Sequence, residues 1–224
     1  MFSLSFIAPF ALLPFVAAQS SDFQLGIAGI EAHFKQSLLV PELLAAFDPT
    51  ALIDVAYSGN SIQPGQPFTK DQVGSTPTVT INSNGASLSG NYTLALVDPG
   101  PVGADTSAGV TRHWLVNGLT ISGTSFNNAT SFAVTEYAGP APPAGDGPHR
   151  YAFLVFEQPS SFAPPTGFDQ ANIGVSKFDL NAYVKDSGLG ALVAGTYMTV
   201  EEGQATASLQ STSAVRCSQT FWQQ

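Results

Sequence analysis

The sequence predicts a mainly β fold: a central, antiparallel-rich β-sandwich with a few short peripheral helices. Three observations predict it. Short apolar runs rich in β-branched and aromatic residues recur along the chain, each closed by a turn cluster. Glycine and proline are abundant, at 21 and 16 of 224 residues. Charged residues make up only 10% against 44% apolar ones, a globular and loop-rich balance rather than a disordered one.

The elements follow in chain order. Residues 26–47 carry a helical period in Ile27, Ile30, Phe34 and Leu38, at spacings of three and four. Pro41 is placed to open a second short helix, PELLAAF, which Asp48-Pro49 ends. ALIDVAY (51–57) alternates as a strand and stops at Ser58-Gly59-Asn60, and SIQPGQPFT (61–69) reads as a turn-rich connection. TPTVTI (76–81), YTLALVD (92–98) and HWLVNGL (113–119) read as strands. Residues 120–148 read as mostly loop, with a strand at 132–136 and a Pro/Gly segment at 139–148. HRYAFLVFEQP (149–159) is the most apolar strand. FDLNAYVKDSGLG (178–190) reads as a short helix capped by Asp179 and stopped by Gly188, and LVAGTYMTVE (192–201) as the last strand. The polar tail from residue 204 reads as loose, with Phe221 and Trp222 able to dock.

Length fits one domain of about 150–200 residues. The expected division is a signal peptide at 1–18, one domain with an N-terminal helical extension at 19–203, and a flexible tail at 204–224. Seven Lys and Arg against 16 Asp and Glu give a net charge of −9, which argues against a nucleic-acid partner and against docking on anionic lipid. The run from Phe2 to Val16, broken by Pro9 and Pro14, is too short for a membrane span and ends at the small-residue site Val16-Ala17-Ala18. A cleaved signal and secretion are therefore expected, and the sequons at Asn91 and Asn128 are expected to carry sugar. The lone Cys217 excludes an intramolecular disulfide.

The signatures of nucleophilic hydrolases, nucleotide-binding loops and zinc peptidases are missing, so neither an enzyme, a metal nor a cofactor is expected. Polar chemistry gathers instead at strand ends. Asp98 closes one apolar strand, His113 opens the next, and His149 and Tyr151 open a third. Alternation puts His149 and Tyr151 on one face and Arg150 on the other, and puts His113 opposite Arg112 and Trp114. Singly, each of these residues has a structural reading: Asp98 forms a turn, Tyr151 bridges core and water, and Arg150 makes an ion pair. Together they offer an anion several donors, with Asp98 orienting or charging a histidine.

Three segments resemble the phosphatidylethanolamine-binding protein family. They are Leu94–Pro101, His113-Trp114-Leu115-Val116-Asn117, and the block from Tyr137 through Gly139, Pro142, Pro143, Gly145 and Gly147 to His149-Arg150-Tyr151. Weaker similarity runs from about Val40 to about Glu202. Gly100 stands where the family carries a second Asp, and Ala141 replaces a rim Gly. The resemblance implies a β-sandwich with a small surface pocket for phosphate-type anions or phospholipid head groups. It implies Asp98, His113, His149 and Tyr151 in that pocket, with Gly139, Pro142 and Pro143 as its rim. It also implies an alternative function: inhibition of a serine carboxypeptidase through the protein surface.

Overall fold

The computed structural model describes residues 13–204; side chains are described from residue 21. Most of the expected signal peptide, the tail and Cys217 lie outside the described residues. Helix α1 spans Leu13–Gln36 and a short turn of helix, α2, spans Leu39–Glu42. Eleven strands follow: β1 Leu52–Tyr57, β2 Asn60–Ser61, β3 Gln66–Phe68, β4 Thr78–Asn82, β5 Asn91–Asp98, β6 Val110–Ser122, β7 Ser125–Asn127, β8 Phe132–Thr135, β9 His149–Gln158, β10 Ser176–Phe178 and β11 Leu192–Val200. Helix α3, Leu180–Ser187, precedes the last strand. Among the described residues no helix is long and apolar enough to cross a membrane.

The strands run in the order β2-β1-β4-β7-β6-β5-β9-β11-β3, with β8 and β10 also pairing with β6. All pairs are antiparallel except β11 with β3. The long strand β6 belongs to two layers. Its first part pairs with β5, and its end, Thr120–Ser122, pairs with β7 of the smaller layer.

The β5–β9–β11 centre is buried on both faces, which is why its strands read as continuous apolar runs. Along β9, Tyr151, Phe153 and Val155 face the smaller layer, packing with Val55 and Ile81. Ala152, Leu154 and Phe156 face the helices, packing with Phe34, Leu39 and Tyr183. Phe34 of α1 stacks on Phe47 at 4.0 Å between ring centroids. Both rings rest on Gly195 of β11, where an added Cβ would lie 3.0 Å from the Phe153 carbonyl oxygen and 3.2 Å from Phe34. Gly195→Ala is therefore expected to cost about 1–3 kcal/mol by overpacking, read as a lower denaturant midpoint at unchanged slope.

Two readings of the sequence are corrected. Pro41 does not open a helix: it lies within α2, after Val40, which is extended (φ −111°, ψ 117°). Leu38, placed on the buried face by periodicity, has φ 56° and is 40% exposed, because α1 ends before it. The stretch 120–148 holds β7 as well as β8, and the connection 61–69 holds β3. Helix α3 is as read: Asp179 accepts a hydrogen bond from the Ala182 amide, and Gly188 takes the left-handed conformation (φ 70°) that ends the helix.

Candidate functional site

Alternation along β9 separates its first three residues as the sequence predicts. His149 and Tyr151 face the smaller layer, while Arg150 faces the helices. Arg150 is 2% exposed and binds Glu42 at 2.7 Å. It also donates to the carbonyls of Ser37, Gly100 and Pro101 at 2.8–3.1 Å. The arginine that leaves the pocket face thus holds the backbone of the pocket's own loop.

Asp98 ends β5 and does two jobs. Its Oδ1 accepts from the Gly100 amide at 2.7 Å, closing the turn, and its Oδ2 meets His149 Nδ1 at 2.8 Å. On the other side of the ring, His149 Nε2 meets Asp146 Oδ2 at 2.9 Å. Two carboxylates on the two ring nitrogens call for an imidazolium, since only the charged ring donates from both. Burial pulls the His149 pKa down, but the hydrogen bonds and charges of Asp98 and Asp146 outweigh it, and the net shift is upward.

His113 does not open its strand; β6 begins three residues earlier. The β5–β6 register shifts here, with Leu96 opposite Trp114 and Val97 opposite Arg112, so His113 is the extra residue of a bulge. The bulge overturns simple alternation. Arg112 lies over the Phe168 and Phe178 rings on the helix side, whereas Trp114 packs with the opposite core. His113 is thereby aimed at the strand ends, with its ring 5.2 Å from that of Tyr151. Its Nδ1 donates to the Ala138 carbonyl at 3.0 Å in the neutral tautomer. Burial, the largest influence, lowers its pKa despite the nearby Asp98 and Ala138. At neutral pH, His113 therefore presents a bare Nε2.

These groups surround a surface cavity of about 510 Å³ lined by Asp98, His113, His149, Pro142 and Pro143. Tyr151 and Gly139 do not line it. Tyr151 is fully buried, and burial together with Asp98 raises its pKa so that it keeps its proton. Gly139 packs instead on the Val73–Gly74 backbone, 3.0 Å from where its Cβ would stand. Three charged lining residues were not foreseen: Asp105, Asp146 and Lys177. Asp146 had a signal, an acid three residues before His149 in a Gly-rich loop. Asp105 and Lys177 had none, since loop packing and the short strand β10 bring them in. With three carboxylates beside one lysine and the clamped imidazolium, the wall is not a basic patch. Among the described residues no group of His, Cys, Asp and Glu is arranged to hold a metal ion.

The sequence profile described as phosphatidylethanolamine-binding protein matches residues 52–199. The chain is 34% identical over 134 residues to the 26 kDa secreted antigen of Toxocara canis, covering 59% of this chain and 48% of that protein. It is 34% identical over 96 residues to phomoidride biosynthesis cluster protein N of Talaromyces stipitatus, covering 38% and 46%. The chain thus spans about half the length of these curated relatives. Carboxypeptidase Y inhibitor, solved with its cognate proteinase, superposes with a TM-score of 0.65 at 24% identity, over 79% of this chain and 96% of that one. Phosphatidylethanolamine-binding protein from Plasmodium vivax superposes with a TM-score of 0.57 at 14% identity, over 76% and 96%. Both share the fold.

Proposed function

The chain belongs to the phosphatidylethanolamine-binding protein family, and from that premise we propose that it is a secreted, non-catalytic binding protein whose Asp98–His113–His149 pocket takes a compact zwitterionic head group of the phosphorylethanolamine kind. The observation that carries the reading is the His149 ring held between Asp98 and Asp146, with the bare Nε2 of His113 beside it. A bare anion meets three carboxylates in this wall. A zwitterion places its phosphate toward His113 and its ammonium toward Asp146 or Asp105, so both charges are matched. Similarity to a protein named a secreted antigen supports secretion, and the exposed sequon residues Asn91 and Asn128 are open to sugar.

The proton balance gives the test. A phosphate at His113 favours its charged form, so binding takes up a proton, and affinity falls as pH rises above the lowered pKa of the free protein. Calorimetric titration with phosphorylethanolamine in two buffers of different ionisation enthalpy is expected to show this uptake. Inorganic phosphate is expected to bind at least 10-fold more weakly. Equal affinity for the two compounds overturns the zwitterion reading.

A second reading is peptidase inhibition through the protein surface, supported by the fold shared with carboxypeptidase Y inhibitor. Inhibition of carboxypeptidase Y that persists in His113→Ala favours it; no inhibition at micromolar protein removes it.

A further inference from the structure

A second cavity, of about 530 Å³, opens between the two layers where β6 crosses from one to the other, and nothing in the pocket reading uses it. Its floor is the edge of the inter-layer core: Leu94, Val116 and Leu119, all nearly fully buried. Its walls include three aromatic rings, Trp114, Phe126 and Tyr137, each only half-buried. Trp114 and Tyr137 meet edge to face at 5.5 Å, and the Tyr137 hydroxyl is already bonded to Tyr57 and to the Val73 carbonyl. That network fixes the Tyr137 ring and, through the edge contact, steadies Trp114. Thr76, Thr78, Ser125, Asn128 and Ser131 supply the polar rim.

We propose that this cavity is a second small-molecule site, distinct from the Asp98 pocket, for an uncharged ring compound with hydrogen-bonding groups at one end. Its size lies within the roughly 300–1,000 Å³ of ordinary ligand sites, and aromatic walls with a few polar groups are the usual lining of such sites. Three half-buried rings at the edge of the core give a flat apolar body its contact area. Charge sets the class. Among the described residues no Lys, Arg or His lines the cavity, and Glu136 is the single charged group that does. A fatty acid or phosphate ester would find no counter-charge there, whereas hydroxyl and carboxamide groups suit a neutral polar end. Asn128 of the sequon stands on the rim, so sugar at that position borders the mouth.

The test uses the neutral fluorophore N-phenyl-1-naphthylamine and unglycosylated full chain carrying Trp222→Phe, which leaves Trp114 as the single tryptophan. Saturable probe binding with quenching of Trp114 emission is expected. Phosphorylethanolamine in excess is expected not to displace the probe, which separates this site from the Asp98 pocket. Ala133→Phe, on the lining, and Thr78→Phe, at the exposed rim, are each expected to weaken probe binding at least 10-fold. Thr78 is exposed, so the second variant keeps the test valid if the first fails to fold. Absent or non-saturable binding overturns the proposal, as does displacement by phosphorylethanolamine or unchanged affinity in folded Thr78→Phe.

Discussion

Arg150→Ala is expected to lower the unfolding free energy by about 3–5 kcal/mol, the cost typical of breaking a buried ion pair from one side. The side chain is 2% exposed and satisfies three carbonyls, those of Ser37, Gly100 and Pro101, besides the Glu42 carboxylate. Truncation leaves all four acceptors short of a donor in a site that water reaches poorly. Glu42 also accepts from the Gly103 amide, so the pair ties the end of α1, the α2 turn and the loop after β5 into one unit. Phosphorylethanolamine affinity is expected to fall as well, although Arg150 does not line the pocket, because the Gly100–Pro101 backbone is set by its guanidinium. Chemical denaturation of Arg150→Ala, Glu42→Ala and the double variant separates the pair from its surroundings. If Glu42→Ala adds its full single-variant cost in the Arg150→Ala background, the two side chains do not act together. A cost below 1 kcal/mol for Arg150→Ala would show that the carbonyl contacts carry no stability.

This arginine also shows where the sequence was legible and where it was not. Period-two alternation assigned the faces of β9 correctly, because β9 is an unbroken central strand whose register with β5 never slips. The same rule failed on β6, where a single inserted residue puts Arg112 and Trp114 on opposite faces. A bulge is a property of two strands paired together, and one strand's sequence does not carry it. Strands of two or three residues such as β2, β7 and β10 were missed for a related reason: they are too short to show a period, and exist because a neighbouring strand offers them partners. The convergence of Asp98, His113 and His149 was readable from strand ends and motif resemblance together. The Asp146 contact was not, because it depends on how the Gly-rich loop folds back over His149. That contact matters most for chemistry, since it occupies the ring nitrogen that would otherwise face an anion.

His149→Ala is expected to produce the second large effect, about 3 kcal/mol of stability below pH 6.5 together with loss of phosphorylethanolamine binding. Asp98 is 7% exposed, and without the imidazolium its carboxylate keeps the Gly100 amide but loses its cationic partner, with Asp146 and Asp105 lining the same cavity. The folded-state pKa of His149 is raised above that of the unfolded chain. Its contribution is therefore fully present below the unfolded value of about 6.5 and is lost as pH rises through the folded value. His113 works in the opposite sense. Burial lowers its pKa, so folding resists its protonation, and stability falls as pH drops below about 6.5. In the native protein the two histidines offset one another. In His149→Ala only the His113 effect remains, so the stability gap between the two proteins is expected to widen on going from pH 8 to pH 6. Denaturation midpoints at these two pH values read the gap directly. A gap that is constant, or that narrows toward pH 6, would show that His149 is not held as an imidazolium between Asp98 and Asp146. His149→Gln, which keeps hydrogen-bonding groups but no charge, is expected to recover part of the stability at pH 8 and little of it at pH 6.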